Sequence, residues 1–152
     1  MQVFNGSMRY LFEGAEEPKR QGAGFIMLHP ESKKVLLLKR NDATPSWCTV
    51  GGGVEAGETP IQAAKREVME EIGIKPDQYT VINEHKGVPD YTNSTPKIDF
   101  HNYIAHAKEQ FTPKLNDEHS DWGWFDKDDL PQPLHYGAIR MLDHPEIRKH
   151  FT

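Results

Sequence analysis

The pattern of apolar and polar positions predicts a sheet built from short strands. Two β-compatible runs, residues 24–29 and 34–40, flank the turn-forming segment Pro30-Glu31-Ser32, which predicts a hairpin. Residues 1–13 alternate weakly and predict an N-terminal strand, which a polar link over residues 14–21 joins to the hairpin. Further strands are predicted at residues 47–50, 79–84, 97–107 and 121–125, with three glycines directly after the first of these and a loop containing Gly87, Pro89 and Pro96 before the third.

One predicted helix has well-defined ends. Thr59 is a typical N-cap, and Pro60 follows at the first helical position, where its missing N–H is harmless. Apolar residues recur at positions 61, 64, 68 and 72, the spacing of one helical face, and Gly73 is typical of a helix C-terminus. Residues 136–143 and 145–150 predict one or two C-terminal helices. The order of elements predicts an α/β fold with a mixed central sheet, with residues 1–152 as one domain.

Charge and composition restrict the class of function. With 18 basic and 23 acidic residues the formal charge is -5, which argues against broad, charge-driven binding to nucleic acid or to an anionic membrane. No aliphatic run approaches the ~20 residues of a membrane helix. The N-terminus also lacks the basic start and apolar core of a signal peptide. The single cysteine, Cys48, is interpreted as a packing residue and permits no internal disulfide, which fits a cytoplasmic location.

Three glutamates share one face of the predicted helix. Glu67, Glu70 and Glu71 stand at positions i, i+3 and i+4, where like charges repel each other. A divalent cation would remove this repulsion and provide positive charge for phosphate oxygens. Hard oxygen donors favour Mg²⁺, for which Mn²⁺ can substitute, and a water bound to such an ion becomes a source of hydroxide. The alternative is a solvated acidic helix face that binds nothing.

Residues 52–74 match the signature G-x5-E-x7-R-E-U-x-E-E-x-G-U, where U is aliphatic, at every fixed position. These positions are Gly52, Glu58, Arg66, Glu67, Val68, Glu70, Glu71, Gly73 and Ile74. The chain therefore resembles the Nudix hydrolases, whose fold is an α/β/α sandwich. The resemblance implies hydrolysis of a diphosphate linkage in a nucleoside diphosphate joined to another group.

The same resemblance implies roles for individual residues. The implied metal ligands are Glu70 and Glu71, assisted by Glu67 and the Gly52 carbonyl. Glu58, a candidate substrate-binding residue, would pair with Arg66 and help to bind a further ion. Independently of the resemblance, the helical angles place Arg66 nearer Glu70 than Glu71, where it could orient a glutamate as its ion-pair partner.

Candidates also lie outside the signature. Glu118 stands in a loop before a predicted strand, where family members often place a catalytic glutamate, so it is the candidate general base. Its neighbour His119 is the alternative base, and a solvated loop residue is the alternative role for Glu118. Lys39 and Arg40 end a strand near the glycines and are either phosphate ligands or solvated charges. His101 and His106 point to opposite faces of one strand, so they predict no zinc site.

The substrate class stays open at this level. Pro89 lies 15 residues after Ile74, as in ADP-ribose hydrolases, whereas Tyr91 lies 17 residues after it, as in diadenosine polyphosphate hydrolases. The expected partner is a small nucleotide: a nucleoside triphosphate, ADP-ribose or a nucleotide sugar, or a dinucleoside polyphosphate. A Nudix-fold module that binds a nucleotide without cleaving it is the alternative function. Dimers are common in the family, so a homodimer is also an option.

Overall fold

The computed structural model describes residues 20–86 and 98–151, in which helices cover both faces of a seven-stranded sheet. The strands are β1 (Arg20–Leu28), β2 (Val35–Arg40), β3 (Trp47–Cys48), β4 (Val50–Gly53), β5 (Tyr79–Lys86), β6 (Ile98–Ala107) and β7 (His119–Phe125). The helices are α1 (Pro60–Ile72), α2 (Tyr136–Asp143) and α3 (Pro145–Arg148), and a short 3-10 turn (Pro76–Gln78) precedes β5. The predicted mixed sheet between helical layers is confirmed.

The sheet is mixed because β1 and β6 run parallel while the other neighbouring strands are antiparallel. Its order is β3-β2-β1-β6-β5, with β4 also paired to β1 and β7 to β2. Alternate side chains of β1 enter two different cores. Phe25 and Met27 pack with α1, whereas Ile26 and Leu28 pack with α2 and α3.

Helix α1 begins and ends where the sequence predicts. Thr59 accepts a hydrogen bond from the Gln62 N–H, and the Gln62 side chain accepts one from the Thr59 N–H, which together form a capping box. At the other end Gly73 has φ 72°, a left-handed conformation that glycine adopts without strain, and its N–H donates to the Met69 carbonyl. Both ends are therefore fixed by local hydrogen bonds.

The predicted hairpin between β1 and β2 is confirmed but short: the two strands are antiparallel, and the His29 N–H donates to the Lys34 carbonyl across the turn at 2.8 Å. These strands share only the pair Leu28–Val35 in the described register, because β4 occupies the next part of that edge of β1 and β7 pairs with β2. The three glycines expected after a short strand in fact belong to β4. A Cβ on Gly24 would lie 2.9 Å from the Gly51 Cα, so β1 and β4 approach this closely only because both residues are glycine. Glycine's low strand propensity hides β4 in the sequence.

The remaining boundaries are close to prediction. The polar link expected over residues 14–21 is wrong at its end, because β1 already begins at Arg20. Strands β5, β6 and β7 and both C-terminal helices are confirmed within two residues at each end. The predicted strand over residues 1–13 and the loop with Gly87, Pro89 and Pro96 lie outside the described residues, as does Tyr91. Within residues 20–86 and 98–151, no helix is long and apolar enough to cross a membrane.

Candidate functional site

Helix α1 brings two of its glutamates against the backbone of β4. Glu71 is only 3% exposed, and its Oε1 accepts a hydrogen bond of 3.0 Å from the Gly51 N–H. The Glu67 carboxylate lies against Gly52: a Cβ at that position would be 2.6 Å from Glu67 Cδ and 2.9 Å from Oε1. The missing side chain of Gly52 therefore provides the space for the Glu67 carboxylate, while the backbone of Gly51 holds Glu71.

The surroundings of Glu71 and Glu67 oppose ionisation of their carboxyl groups. Burial, and after it the charges of Glu67 and Glu118, raise the pKa of Glu71 to about 9. Burial also raises the pKa of Glu67, against the opposing effect of the Arg66 guanidinium. Both shifts have the same cause: ionised carboxylates are placed close together away from water. A bound cation would reverse this effect by favouring the ionised forms.

Arg66 connects the helix to the loop before it and to β4. Its guanidinium donates to both oxygens of Glu58, with Nε–Oε2 at 2.7 Å and Nη2–Oε1 at 3.1 Å, and Nη2 also donates to the Gly53 carbonyl at 2.9 Å. Nη1 donates to Glu67 and to Glu70, each at 3.1 Å. The hydrogen bond between Arg66 and Glu58 lowers the pKa of Glu58 and raises that of Arg66. The expected pair of Glu58 with Arg66 is thus part of a larger network.

Glu70 differs from the other two helix glutamates. Its side chain is 52% exposed and bonded to Arg66, so it would have to turn away from this partner to join Glu71 around one ion. In the part of the chain that the structure describes, no three side chains of His, Cys, Asp or Glu are already arranged as a metal site. The oxygens available nearby belong to Glu67, Glu71, Glu118 and the backbone of Gly52. Hard oxygens with uncompensated negative charge fit Mg²⁺ or Mn²⁺.

Glu71 lies at the wall of a cleft of about 350 Å³. The lining residues are Arg40, Asn41, Asp42, Cys48, Gly51, Glu71, Glu118 and His119. Glu118 precedes β7, and its backbone is held on both sides: its N–H donates to Asn116 Oδ1 at 3.0 Å and its carbonyl accepts from the Asn41 N–H at 2.9 Å. The structure therefore brings Glu118 to the same cleft as Glu71, from a position 47 residues away in the sequence.

The two predicted phosphate ligands are placed differently. Arg40 lines the cleft, with Nε and Nη2 each 2.8 Å from Asp42 Oδ2. Lys39 is not among the residues that line the cleft. Of the two, Arg40 is therefore the residue placed to meet an anionic ligand there.

Sequence reasoning missed four of the lining residues in functional terms: Asn41, Asp42, Cys48 and Gly51. Cys48 Sγ lies 3.7 Å from His119 Nε2 and 3.6 Å from the Leu38 carbonyl oxygen. Burial, and after it the charge of Glu71, raise the pKa of the Cys48 thiol to about 12. The burial agrees with a packing residue, but the contact with His119 spans 71 positions and leaves no local signal in the sequence.

Comparison with known proteins establishes the family. The family model of the NUDIX domain matches residues 18–144. The chain belongs to the NUDIX family. Dihydroneopterin triphosphate diphosphatase of Escherichia coli K12 is 33% identical over 99 residues, which cover 64% of this chain and 59% of that relative's length.

Solved NUDIX structures share the fold. A MutT NUDIX hydrolase from Burkholderia pseudomallei is 27% identical, with a TM-score of 0.63 over 85% of this chain and 99% of that chain. The Nudix hydrolase RenU from M. smegmatis has a TM-score of 0.71 over 90% of this chain and 89% of its own, at 23% identity, which supports the fold alone.

Proposed function

We propose that this NUDIX protein is a pyrophosphohydrolase that requires Mg²⁺ or Mn²⁺ and cleaves a diphosphate linkage in a small nucleotide-like substrate. The observation that carries the proposal is the proximity of three glutamates: Glu71 and Glu118 line one cleft, and the charge of Glu67 acts on Glu71. Burial, with the charges of neighbouring glutamates, disfavours the ionised forms of Glu67 and Glu71 unless a cation binds. A solvated acidic face, the alternative, does not bury a carboxylate to 3% exposure.

Glu67, Glu70, Glu71 and the Gly52 carbonyl would hold the cation. When bound, such an ion neutralises phosphate charge and makes a bound water more acidic. Arg66 is a positioning residue, because its guanidinium fixes the Glu67 carboxylate while its other side is held by Glu58. Glu70 would complete the set of oxygen donors by giving up its hydrogen bond to Arg66 and binding the ion instead.

Glu118 would act as the general base that takes the proton from the attacking water. Its fixed backbone and its place in the cleft beside Glu71 support this role. His119 is the weaker candidate because its Nε2 lies 3.7 Å from the Cys48 Sγ. The Arg40 guanidinium is placed to bind a phosphate of the substrate, with Lys39 as the less favoured alternative.

Nucleoside triphosphates and similar triphosphates form the first substrate class to examine. This choice rests on the name of the Escherichia coli relative, a dihydroneopterin triphosphate diphosphatase. ADP-ribose, nucleotide sugars and dinucleoside polyphosphates complete the panel.

The test is turnover by chelator-treated protein across this panel, with and without Mg²⁺ or Mn²⁺, measured as release of pyrophosphate, orthophosphate or mononucleotide. We expect metal-dependent release. Glu71→Gln should lower the rate by more than about 10-fold, because even the outer partners of metal ligands are worth about 10–100-fold. The exposed Glu109, outside the cleft, provides the control Glu109→Gln with the same charge change.

Binding of nucleotides without any turnover would refute the hydrolase and favour the binding module. Equal rates with and without a divalent cation would refute the metal requirement.

A further inference from the structure

We propose that Cys48 and His119 form a second cation site in the cleft, suited to soft ions such as Zn²⁺ and distinct from the glutamate site for Mg²⁺. Cys48 has no part in the hydrolysis proposed above, and His119 is there only the weaker alternative to Glu118. Both line the same cleft as Glu71 and Glu118.

The separation of the two donor atoms fits one zinc ion. Zinc takes thiolate sulfur at about 2.3 Å and imidazole nitrogen at about 2.0–2.1 Å in a tetrahedral arrangement, which places the two donors about 3.6 Å apart. Cys48 Sγ and His119 Nε2 are 3.7 Å apart. An ion can therefore bind both with little movement of either side chain.

The sheet holds both residues in place. Cys48 is on β3 and pairs with Leu38 of β2, while His119 begins β7 and pairs with Arg40 of the same strand. Two strands on β2 thus present the thiol and the imidazole to each other. Sites on strands are positioned more precisely than sites on loops.

The hydrogen bonding of the His119 imidazole is incomplete. His119 is 8% exposed, and its Nδ1 is buried with no hydrogen-bond partner among the described residues. Nδ1 is not the ring nitrogen that faces Cys48, so the availability of the imidazole to a cation depends on Nε2. The only contact described for Nε2 is the sulfur, a weak hydrogen-bonding atom.

The surroundings supply charge and further donors. When Zn²⁺ binds, the Cys48 S–H bond breaks, the S–Zn bond forms and the proton leaves to solvent. Glu71 and Glu118 line the same cleft, and a carboxylate of either, with water, would complete the coordination. Because no third side chain is already in place, binding should be weaker than at a closed four-ligand zinc site.

Ion selectivity follows from donor softness. Thiolate and imidazole favour Zn²⁺ or Co²⁺ over Mg²⁺, whereas the carboxylates of α1 favour Mg²⁺. An ion at Cys48 would draw Glu71 or Glu118 away from the reaction, so Zn²⁺ should inhibit hydrolysis. This inhibitory consequence rests on the proposed function, but the binding itself does not.

Titration with Co²⁺, a spectroscopic substitute for Zn²⁺, tests the binding. Untagged, chelator-stripped protein should show a thiolate-to-cobalt absorption band that saturates near one equivalent and disappears when Zn²⁺ is added. Cys48→Ser should lose the band, and His119→Gln should bind at least ten times more weakly. His106→Gln, a change at a half-buried histidine on β6, is the matched control and should behave as the wild type.

Alkylation of Cys48 gives a second readout that needs no variant. Since this is the single cysteine of the chain, its modification is read directly by mass, and Zn²⁺ should slow it at least tenfold while Mg²⁺ should not. A wild-type protein that shows no thiolate band and no protection by Zn²⁺ would overturn the site and leave an ordinary thiol–imidazole contact.

The two proposals fail separately. Co²⁺ binding through Cys48 in a protein that turns over no substrate would sustain the cation site and refute the hydrolase. Mg²⁺-dependent turnover in a protein that shows no thiolate-to-cobalt band would sustain the hydrolase and refute the cation site at Cys48. With both present, Zn²⁺ should inhibit the wild type at a concentration at least ten times lower than it inhibits Cys48→Ser, and equal inhibition would refute the link between the sites.

Discussion

Three consecutive glycines of β4 should respond to alanine in three different ways. At Gly51 a Cβ would meet backbone, 2.7 Å from the Ala23 carbonyl oxygen and 2.8 Å from the Gly24 Cα. At Gly52 it would meet the Glu67 carboxylate, and at Gly53 it would find no atom within 4 Å. Positive φ among the described glycines is confined to Gly57 and Gly73, so alanine causes no left-handed strain at positions 51–53. The differences must come from the surroundings.

The structure gives the size of each effect. At position 52 the new carbon would lie 2.6 Å from Glu67 Cδ. Carbon atoms in contact are normally about 3.5–4.0 Å apart, so the carboxylate must retreat by about 1 Å. A misplacement of this size can cost about 10²-fold in rate. The unfolding free energy should change by less than about 1 kcal/mol, because only the end of a flexible side chain moves and alanine restricts the unfolded chain.

The neighbouring positions provide the matched controls. Gly51→Ala forces backbone apart and should lower the unfolding free energy by about 1–3 kcal/mol. Gly53→Ala should leave activity unchanged and stability equal or higher by up to about 1 kcal/mol. The assays are kcat with the best substrate of the panel and urea denaturation in the presence of a chelator. Activity of Gly52→Ala within threefold of the wild type, or a stability loss equal to that of Gly51→Ala, would show that the place of Glu67 against β4 does not matter.

Three further outcomes are expected. Glu118→Gln should lower kcat by about 10²–10⁴-fold, and a change below threefold would rule out the role of general base. Arg66→Met should lower the unfolding free energy, measured in urea, by about 2–3 kcal/mol, because it leaves partly buried carboxylates unpaired. Arg66→Lys should recover only part of this loss. An unchanged unfolding free energy in Arg66→Met would show that the hydrogen bonds of Arg66 do not stabilise the fold. The pKa of His85 is lowered from its ordinary 6.5 by burial and, after it, by the charge of His144. The ring centroids of the two histidines are 4.3 Å apart. Because the folded state then resists protonation, the melting temperature should fall as the pH drops below about 6.5, and less steeply in His85→Gln; equal slopes would exclude the pair as a cause.

Local signals account for what the sequence predicted well. The ends of α1 depend on Thr59, Gln62 and Gly73, whose hydrogen bonds stay within four residues of the chain. Angular positions on the helix likewise indicated that Arg66 could meet Glu70, and the structure joins them at 3.1 Å. In each of these cases the two interacting residues lie within one or two helical turns of each other, so their spacing in the sequence determines which side chains can make contact.

Non-local pairing accounts for what the sequence did not predict. The hairpin is short because β1 and β2 each pair along most of their described register with a strand from elsewhere in the chain, and no residue near Pro30 signals that choice. The hydrogen bond from the Gly51 N–H to Glu71 spans 20 positions, and the contact of Cys48 with His119 spans 71. The sequence therefore predicted that the carboxylates share one face of a helix, but not the strand surface against which Glu67 and Glu71 lie.

The alternation of β4 explains why its glycines serve two purposes at once. Successive residues of a strand face opposite sides, so Gly51 and Gly52 have different neighbours although they are adjacent. Gly51 allows the close approach of β1, while Gly52 leaves room for a carboxylate from α1. The N–H of Gly51 also fixes Glu71, so the same four-residue strand positions both buried glutamates. A chain that kept all three glutamates but carried a side chain at position 52 would retain its helix and lose the space in which the Glu67 carboxylate lies.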